Sequence, residues 1–408
     1  MGSLERRIGV PGAIAIGLGA MIGAGLFFVW APAAAIAGPW LPAAIAIAGL
    51  IAVLNALSTA QLAMEHPVSG GAYAYGRTEA DERVGFTAGW MFLTGKTASA
   101  AAIAVIAGRH VWPEHASIVA AVAIAALAAL NMLGIRVTAW VSSAIVGVVL
   151  LVVVAALAWA AAGGEATLTP AVEPQPEPGG IPVLQAAGML FFAFAGYARM
   201  ATLGEEVRDP RRTLPIAIVL GLGLVLALYA LTGWATSARL RDALPSSATP
   251  VADLVADPVL HAVVLGAGAL ACLGSLMGIL AGLSRTGLAM ARNRDLPGPL
   301  SFVSSRTKAP VVAEAATAIA AIVAALVLPA GALVAFSSTC VLTYYAVAHV
   351  SAIRMRAAGH RRMWLPAIIP WLGAALCLVV VLTLPWQGVL GAALWLAVGL
   401  AARAQLRR

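Results

Sequence analysis

Charge is scarce in this chain. Asp, Glu, Lys and Arg together make up 10% of its 408 residues, whereas hydrophobic types make up 62%. A water-soluble fold of this length has too little interior to hide so much apolar surface. The sequence also lacks any polar segment long enough for a soluble domain or a signalling tail. The composition therefore predicts a polytopic membrane protein with one membrane domain, 1–408.

Reactive side chains are also few. The 3 cysteines, Cys272, Cys340 and Cys377, all lie in apolar segments, where core packing is a more common role than a disulfide. No cluster of His, Asp, Glu and Cys with metal-ligand spacing lies in an apolar segment, and no nucleophile there has an evident base. We therefore expect no enzyme activity, no metal site and no cofactor.

Apolar runs long enough to cross a bilayer recur along the whole chain. We predict twelve spans at residues 10–37, 40–64, 86–108, 116–133, 138–162, 182–204, 214–237, 259–288, 310–328, 331–352, 364–384 and 386–403. An even number of spans places both termini on one side of the membrane.

The basic residues predict which side this is. Most of the 25 Lys and Arg residues, Arg285 among them, are assigned to the side of the termini, and only Arg109, Arg239 and Arg241 to the other. Such a bias marks the cytoplasmic side. We therefore expect cytoplasmic termini in an inner (plasma) membrane, and we attribute the net charge of +8 to topology and not to a nucleic-acid partner. The alanine-rich composition is typical of a bacterium with a GC-rich genome.

Glycine is dense in the first span. Residues 17–27, GLGAMIGAGLF, contain Gly17, Gly19, Gly23 and Gly25. One interpretation is close helix packing through Gly19 and Gly23. The other is a helix that comes apart in mid-bilayer, where freed backbone groups hold a solute.

A second break, expected at residues 192–196 (FAFAG) of the sixth span, favours the latter interpretation. Discontinuous helices at corresponding places in two halves indicate a secondary transporter with a site near the membrane midplane. Free amides at a half-helix start suit a carboxylate, and exposed carbonyls suit an ammonium. A zwitterionic α-amino acid carries both groups.

Several motifs, in the right order, resemble those of amino acid–polyamine–organocation (APC) superfamily permeases, which have a LeuT-like fold. They are GAMIGAGLF at 19–27, PVSGGAYAY at 67–75, FFAFAGY at 191–197 with EEVRDPRRTLP at 205–215, and ARNRDLP at 291–297. The resemblance implies an all-α protein with twelve transmembrane helices and discontinuous helices 1 and 6. Two inverted repeats of five helices, 8–162 and 182–352, would be followed by helices 11 and 12 at 364–403.

The resemblance also implies a substrate site at the two breaks. Backbone amides of the first break would bind the carboxylate, carbonyls of the second would bind the ammonium, and Phe192 would be an aromatic gate. With a small apolar lining on the third span, the expected substrate-binding residues are Ile22, Gly23, Ala24, Gly25, Ser99, Ile103, Phe192, Ala193, Phe194, Ala195 and Gly196.

Acidic side chains are missing from the middle of every predicted span. Many relatives carry Asp or Glu two residues after the sixth-helix glycine, where this chain has Ala198. We therefore expect arginine, lysine and polyamines to be excluded. Because an apolar pocket discriminates by only roughly 1–3 kcal/mol per methylene, we expect a set of neutral, mainly aliphatic L-amino acids.

Two cations are assigned to the interior of predicted spans. Lys96, in the third span, is costly there if ionised and unpaired. Either its long stem reaches the membrane edge, or its ammonium serves proton coupling, which we favour. Proton-coupled relatives place a lysine on the fifth span, where this chain has Val149, so Lys96 would supply that charge from a neighbouring helix. For Arg199 we expect a cytoplasmic salt bridge or gate, with substrate contact as the second choice.

These observations predict a secondary active transporter that works by alternating access, with proton-coupled uptake as its mode. An exporter or exchanger of the same fold is the alternative, because the span-five lysine is missing. A non-transporting amino-acid-binding scaffold or sensor is a remote alternative. The expected partners are the amino acid, protons and membrane lipids, and the oligomeric state is left open.

Overall fold

The computed structural model describes residues 6–167, 180–359 and 365–407. Residue 364, where the eleventh predicted span begins, lies outside the described residues. The described part is helical throughout, apart from turns, loops and one isolated parallel bridge between Ile8 and Val207. The expected all-α class is therefore confirmed for the residues that the structure describes.

The α-helices are numbered here in chain order. They are α1 (Val10–Met21), α2 (Ala24–Phe28), α3 (Trp30–Ala37), α4 (Leu41–Glu65), α5 (Ala72–Glu79), α6 (Glu82–Val111), α7 (Ala116–Met132), α8 (Ile135–Ala161), α9 (Gly180–Phe194), α10 (Ala198–Ala201), α11 (Pro210–Leu240), α12 (Pro258–Arg292), α13 (Val311–Val327), α14 (Ala330–Ala357), α15 (Ile368–Thr383) and α16 (Trp386–Leu406). Short 3₁₀ helices lie between several of them, including Ala195–Tyr197 between α9 and α10.

Membrane crossing is supported by length and composition. Within the described ranges, 9 helical stretches are long and apolar enough to span a bilayer. Three shorter apolar helices, α7, α13 and α15, lie at the fourth, ninth and eleventh predicted spans. The multi-pass membrane architecture is therefore supported, while the count of twelve and the division into inverted halves stay predictions.

The interrupted helices lie next to each other at the centre of the bundle. The α1 helix packs against α8, α11, α12 and the 3₁₀ turn that follows α9, and α2 packs against α9 itself. In α12, residues 274–291 are all buried. By contrast, α15 and α16 expose large apolar side chains, such as Leu382 and Trp386. These outer helices therefore present the surface that suits lipid.

Both described ends of the chain lie on one face of the bundle, which we call the termini face. The amides of Arg7 and Ile8 both donate to the carbonyl of Glu206 at 3.0 Å. At the other end, Arg403 Nε donates to Asp295 at 2.7 Å. An even number of spans requires this arrangement. That the termini face is cytoplasmic remains the prediction made from the distribution of Lys and Arg.

Two of the sequence motifs meet on the termini face. Asp295, in the motif at 291–297, is 1% exposed and accepts hydrogen bonds from Tyr73 Oη and Arg77 Nη1, both at 2.8 Å. Tyr73 belongs to the motif at 67–75. In the same motif, Gly71 has φ +57, and an added Cβ would overlap the Tyr344 hydroxyl. These residues act as a scaffold that joins the end of α12 to α5 and α16.

Removing the N-cap of α6 gives a small, pH-dependent effect. Asp81 Oδ1 accepts from the amides of Arg83 and Val84 at 2.7 and 2.9 Å, and the bond from Val84 is the largest cause that holds the carboxyl pKa below its ordinary value. Asp81→Ala is expected to lower the free energy of unfolding by about 1 kcal/mol at neutral pH. Because the pKa is depressed by folding, this stabilisation is complete above the unfolded pKa of about 3.9 and is lost as pH falls through the folded pKa.

Unfolding of the detergent-solubilised protein at neutral and acidic pH tests this prediction. Asp81→Asn is the matched control, since an amide oxygen also caps a helix and costs less. A penalty for Asp81→Ala that is unchanged in acid would contradict the assignment.

Candidate functional site

The first break occurs where the glycine pattern predicts it. Ile22 adopts φ −79, ψ 90 and Gly23 adopts φ −156, ψ −143, so the helix stops after Met21 and resumes at Ala24. The Ile22 amide still donates to the Leu18 carbonyl at 2.6 Å. The first amides of the resumed helix have no acceptor one turn earlier in α2, as at any helix start. The break therefore offers free N–H groups in the core of the bundle.

The second break is milder than the sequence predicts. The chain tightens into the 3₁₀ turn Ala195–Tyr197 and continues as one further α-helical turn, without an extended segment. A short 3₁₀ stretch in a helix often marks a hinge. The Ala195 carbonyl accepts from Tyr345 Oη at 3.1 Å, and Tyr229 Oη donates to the Met21 carbonyl at 2.7 Å. Tyrosine hydroxyls thus satisfy backbone carbonyls at both breaks.

Glycines allow the two breaks to touch. A Cβ added to Gly25 would overlap Ala193, and one added to Gly196 would lie 2.5 Å from the backbone carbon and oxygen of Ala20. Side chains crowd the same segment from other helices, because a Cβ on Gly19 would overlap Ser142. The two interpretations of the glycine pattern are therefore both realised: the helix breaks, and it also packs closely.

A small cavity, about 10 Å³ in volume, adjoins the second break. Its wall consists of small residues of the 3₁₀ turn and α12, of Ala20 and Phe92, and of two cations, Lys96 and Arg199. Among the described residues that line it, none is acidic. The electrostatic character of this cavity is therefore positive.

Lys96 is buried in the middle of α6, with 5% of its surface exposed. The structure gives its ammonium no hydrogen bond or ion pair with any described residue, and its side chain faces the cavity that Arg199 also lines. Lys96 therefore places an amino group of α6 at the cavity beside the second break.

Arg199 belongs to a buried charge cluster that the sequence reasoning missed in part. Its Nη1 donates to Thr202 Oγ1 at 2.7 Å, and its Nη2 lies 4.0 Å from Glu206. Glu206 is paired more closely with Arg285, at 3.0 Å, and Arg285 Nη1 lies 3.6 Å from Glu314. The expected salt bridge of Arg199 is therefore present, but it is the longest of the three.

The structure shows that two members of this cluster are buried. Arg285, counted by us with the charges on the side of the termini, lies inside α12 and is 0% exposed. Glu314 lies in the first turn of α13, is 1% exposed and accepts from Asn131 Nδ2 at 2.9 Å. The signal for the cluster was Arg285 itself, because an arginine inside an apolar run needs a partner.

The other predicted site residues are not among the described residues that line the cavity. Ser99 Oγ bonds Ser337 Oγ of α14 at 2.6 Å, and Ile103 is buried in the core. Phe192 is half-buried against the core, and the ring of Phe194 packs 4.7 Å from that of Tyr229. Of the described residues, Ala195 and Gly196 are the predicted substrate contacts that line the cavity, together with Lys96.

A second cavity lies on the opposite side of the first break, with a volume of about 370 Å³. Phe27 and Phe28 of α2 line it, together with Val251 and Cys272. The two breaks therefore lie between a small positive cavity and a larger apolar one.

Comparison with known proteins identifies the family. The sequence pattern of the family described as amino acid permease matches residues 8–399. The chain belongs to the amino acid permease family. This permease is 45% identical, across 98% of its length, to an uncharacterized transporter of Mycobacterium tuberculosis, of which it covers 91%. The APC resemblance of the motifs is thereby confirmed, and membrane transport, not catalysis, is the activity of the family.

Relatives with more specific names are more distant. The permease is 26% identical, across 98% of its length, to the branched-chain amino acid permease BcaP of Bacillus subtilis, of which it covers 92%. It is 29% identical, across 86% of its length, to the vacuolar cationic amino acid transporter 2 of Arabidopsis thaliana, of which it covers 60%. One name indicates a neutral substrate and the other a cationic substrate. The choice between these two classes for this permease therefore depends on the charge of its own site.

Proposed function

We propose that this permease is a secondary active transporter that moves neutral L-amino acids by alternating access, with proton-coupled uptake as its mode. The observation that carries the proposal is the cavity at the second break, whose described lining holds two cations and no acid. A cavity on either side of the breaks suits a path that opens alternately to the two membrane faces.

In this proposal the substrate lies at the two breaks. Its carboxylate binds the backbone amides from Ile22 to Gly25, where positive partial charge is concentrated. Its ammonium binds carbonyls between Ala193 and Gly196. The Ala195 carbonyl already accepts from Tyr345 Oη. Since a carbonyl oxygen has two lone pairs, the ammonium uses the second or displaces the tyrosine hydroxyl.

Electrostatics favour neutral over cationic amino acids. A lysine or arginine substrate would bring a further positive charge toward Lys96 and Arg199, with no acid among the described lining residues to attract it. We therefore propose a substrate with an uncharged side chain, as the name of the branched-chain permease indicates for that protein. The cationic substrate in the name of the plant transporter is not proposed here. The small, apolar remainder of the lining suits aliphatic side chains.

Lys96 is our candidate for the coupling residue. An ammonium buried without a counter-ion is unfavourable, which suits a group that gains and loses a proton during the transport cycle. Across the cavity it faces Arg199, behind which lie Glu206, Arg285 and Glu314. No carboxylate lines the cavity within the described chain, so the proton has no competing acceptor there.

Uptake into liposomes tests the proposal. An inward proton gradient is expected to drive accumulation of labelled leucine and alanine, but not of arginine. Lys96→Met, which keeps the length of the side chain, is expected to abolish accumulation while exchange across the membrane continues. Arg83→Met is the matched control, because it removes a positive charge from the exposed start of the same helix.

Three results would contradict parts of this proposal. Uptake of arginine would overturn the electrostatic argument. Gradient-driven accumulation by Lys96→Met would exclude its coupling role. Flux only against preloaded amino acid would favour the exchanger, for which the absence of a lysine at Val149 is the supporting observation.

A further inference from the structure

An apolar groove on the outside of the bundle is not used by the proposed transport path. Residues of α6, α12, α13, α14 and α16 line it, and its volume is about 840 Å³. One end lies at Leu300, in the segment that follows α12 on the termini face, and the other at Leu328, directly after α13. The stripe of α13 that faces the groove, from Ala313 to Leu328, is about 22 Å long at 1.5 Å per residue. The groove therefore crosses most of the apolar thickness of a bilayer.

The wall of the groove suits hydrocarbon. Alanine, glycine and leucine make up most of it, and no charged residue is among the described residues that line it. Two of its hydroxyls already donate within their own helices, Thr94 Oγ1 to the Trp90 carbonyl at 2.8 Å and Thr317 Oγ1 to the Ala313 carbonyl at 2.9 Å. The preferred occupant is therefore apolar over the length of the groove.

The width of the groove favours chains thinner than a helix. A volume of about 840 Å³ over about 22 Å gives a mean cross-section of about 37 Å². An α-helix with its side chains is about 10–12 Å across, which corresponds to roughly 80–110 Å². A helix of a second copy would therefore enter only in part, whereas lipid acyl chains, which are as apolar as leucine, can fill the groove along its length.

The segment at the termini-face end of the groove carries unpaired cations. Arg294, Arg306 and Lys308 are exposed, and the structure gives their side chains no ion pair or hydrogen bond with a described residue. The same segment supplies two leucines to the groove wall. Its acidic residue, Asp295, is 1% exposed and is paired with arginines of α5 and α16, so it does not neutralise these three charges. This end of the groove is therefore positive.

We propose that the groove binds an anionic phospholipid, with its acyl chains beside α13 and its phosphate on Arg294, Arg306 and Lys308. Lys and Arg side chains at a bilayer surface attract anionic headgroups, and a guanidinium can bind a phosphate through two parallel N–H groups. The bound lipid fills the space between α13 and α16 and stabilises their packing. The proposal is independent of the transported substrate, because it uses no residue of the two breaks.

Lipids that differ only in the charge of the headgroup test this site. The delipidated, full-length protein is kept in neutral detergent, and its unfolding temperature is titrated with phosphatidylglycerol or with phosphatidylcholine of the same chains. Phosphatidylglycerol is expected to bind at least fivefold more tightly, because each Lys or Arg near an anionic headgroup contributes about that factor. A triple variant that removes the cations of the groove is expected to reduce this preference to near unity: Arg294→Gln, Arg306→Gln and Lys308→Gln.

The matched control removes the same number of charges elsewhere on the termini face. It replaces three exposed arginines at the start of α11, and it is expected to keep the preference for phosphatidylglycerol. The substitutions of this control are Arg208→Gln, Arg211→Gln and Arg212→Gln.

A bulky substitution in the groove tests the position of the acyl chains. Ala320 is exposed and lines the groove, so Ala320→Phe fills part of it and is expected to weaken the binding of both lipids. Val323→Phe is the matched control, because Val323 is exposed on the same helix but is not among the residues that line the groove.

Four results would overturn the proposal. The first is equal binding of the two lipids by the wild-type protein. The second is a preference that survives removal of the three cations of the groove, or that is lost equally in the control on α11. The third is unchanged lipid binding in Ala320→Phe. The fourth is a change of oligomeric state in Ala320→Phe, measured by light scattering, without a change in lipid binding, which would make the groove an interface between copies of this chain.

Discussion

Gly196→Ala is expected to abolish transport and to destabilise the fold, although it adds a single methyl group. The added Cβ would lie 2.5 Å from the backbone carbon and oxygen of Ala20. A clashing side chain could rotate away, but the Ala20 backbone has little room to move. Ser142 of α8 packs closely against Gly19, the residue before it. Overpacking of this kind costs about 1–3 kcal/mol, and more where the backbone has to shift. Here the shift would separate the two breaks.

Uptake by reconstituted protein and unfolding temperature in detergent check this expectation together. Gly223→Ala is the matched control, because an added Cβ in that helical glycine meets no heavy atom within 4 Å. Alanine in place of an unstrained helical glycine is neutral or slightly stabilising. Wild-type uptake and stability for Gly196→Ala would mean that the close contact between the breaks is not required.

The first break could be predicted from sequence, but the form of the second could not. Glycines at 23 and 25 weaken a helix locally, and the structure interrupts it at Ile22 and Gly23. The segment at 192–196 contains one glycine and no proline, so its local preferences fix no geometry. Its 3₁₀ turn is bonded instead by Tyr345, which comes 150 residues later in the chain. Such tertiary contacts leave no mark in the local sequence.

The buried charges show a second limit of sequence reasoning. A carboxylate near a span end is ordinarily solvated, which is why Glu314 and Glu206 were not singled out. In the structure, the first turn of α13 packs on α12, and the chain segment around Ile8 pairs with residues 206–208, so both carboxylates are enclosed. Lys96 could be found because it lies far from any span end. The cavity that it shares with Arg199 required the packing of α6, α10 and α12.

Glu206→Gln is expected to cause a large loss of stability in this permease. Glu206 is 1% exposed, bonds Arg285 Nη2 at 3.0 Å and Nε at 3.3 Å, and is the carboxylate nearest to Arg199. Without the Glu206 carboxylate, the buried guanidinium groups of Arg199 and Arg285 remain. Among the described residues, Glu314 is then the carboxylate left to pair with them. Breaking one side of a buried ion pair typically costs about 3–5 kcal/mol, because the other charge stays uncompensated.

The neighbouring residue provides a matched control. Glu205 pairs with Arg292 at 2.8 Å, but the two side chains are 27% and 23% exposed, so water screens the pair. Glu205→Gln is therefore expected to change the free energy of unfolding by at most about 1 kcal/mol. Denaturant unfolding of both variants in the same detergent gives the comparison.

A double variant separates the buried pair from the burial of charge itself. Glu206→Gln combined with Arg285→Met removes both partners, and it is expected to recover part of the stability lost in Glu206→Gln alone, since the stranded charge has gone. If the losses of unfolding free energy in Glu206→Gln and in Arg285→Met add up to the loss in the double variant, Glu206 and Arg285 do not act as a pair. If Glu206→Gln is no worse than Glu205→Gln, the cluster is hydrated in solution and its charges are screened by water.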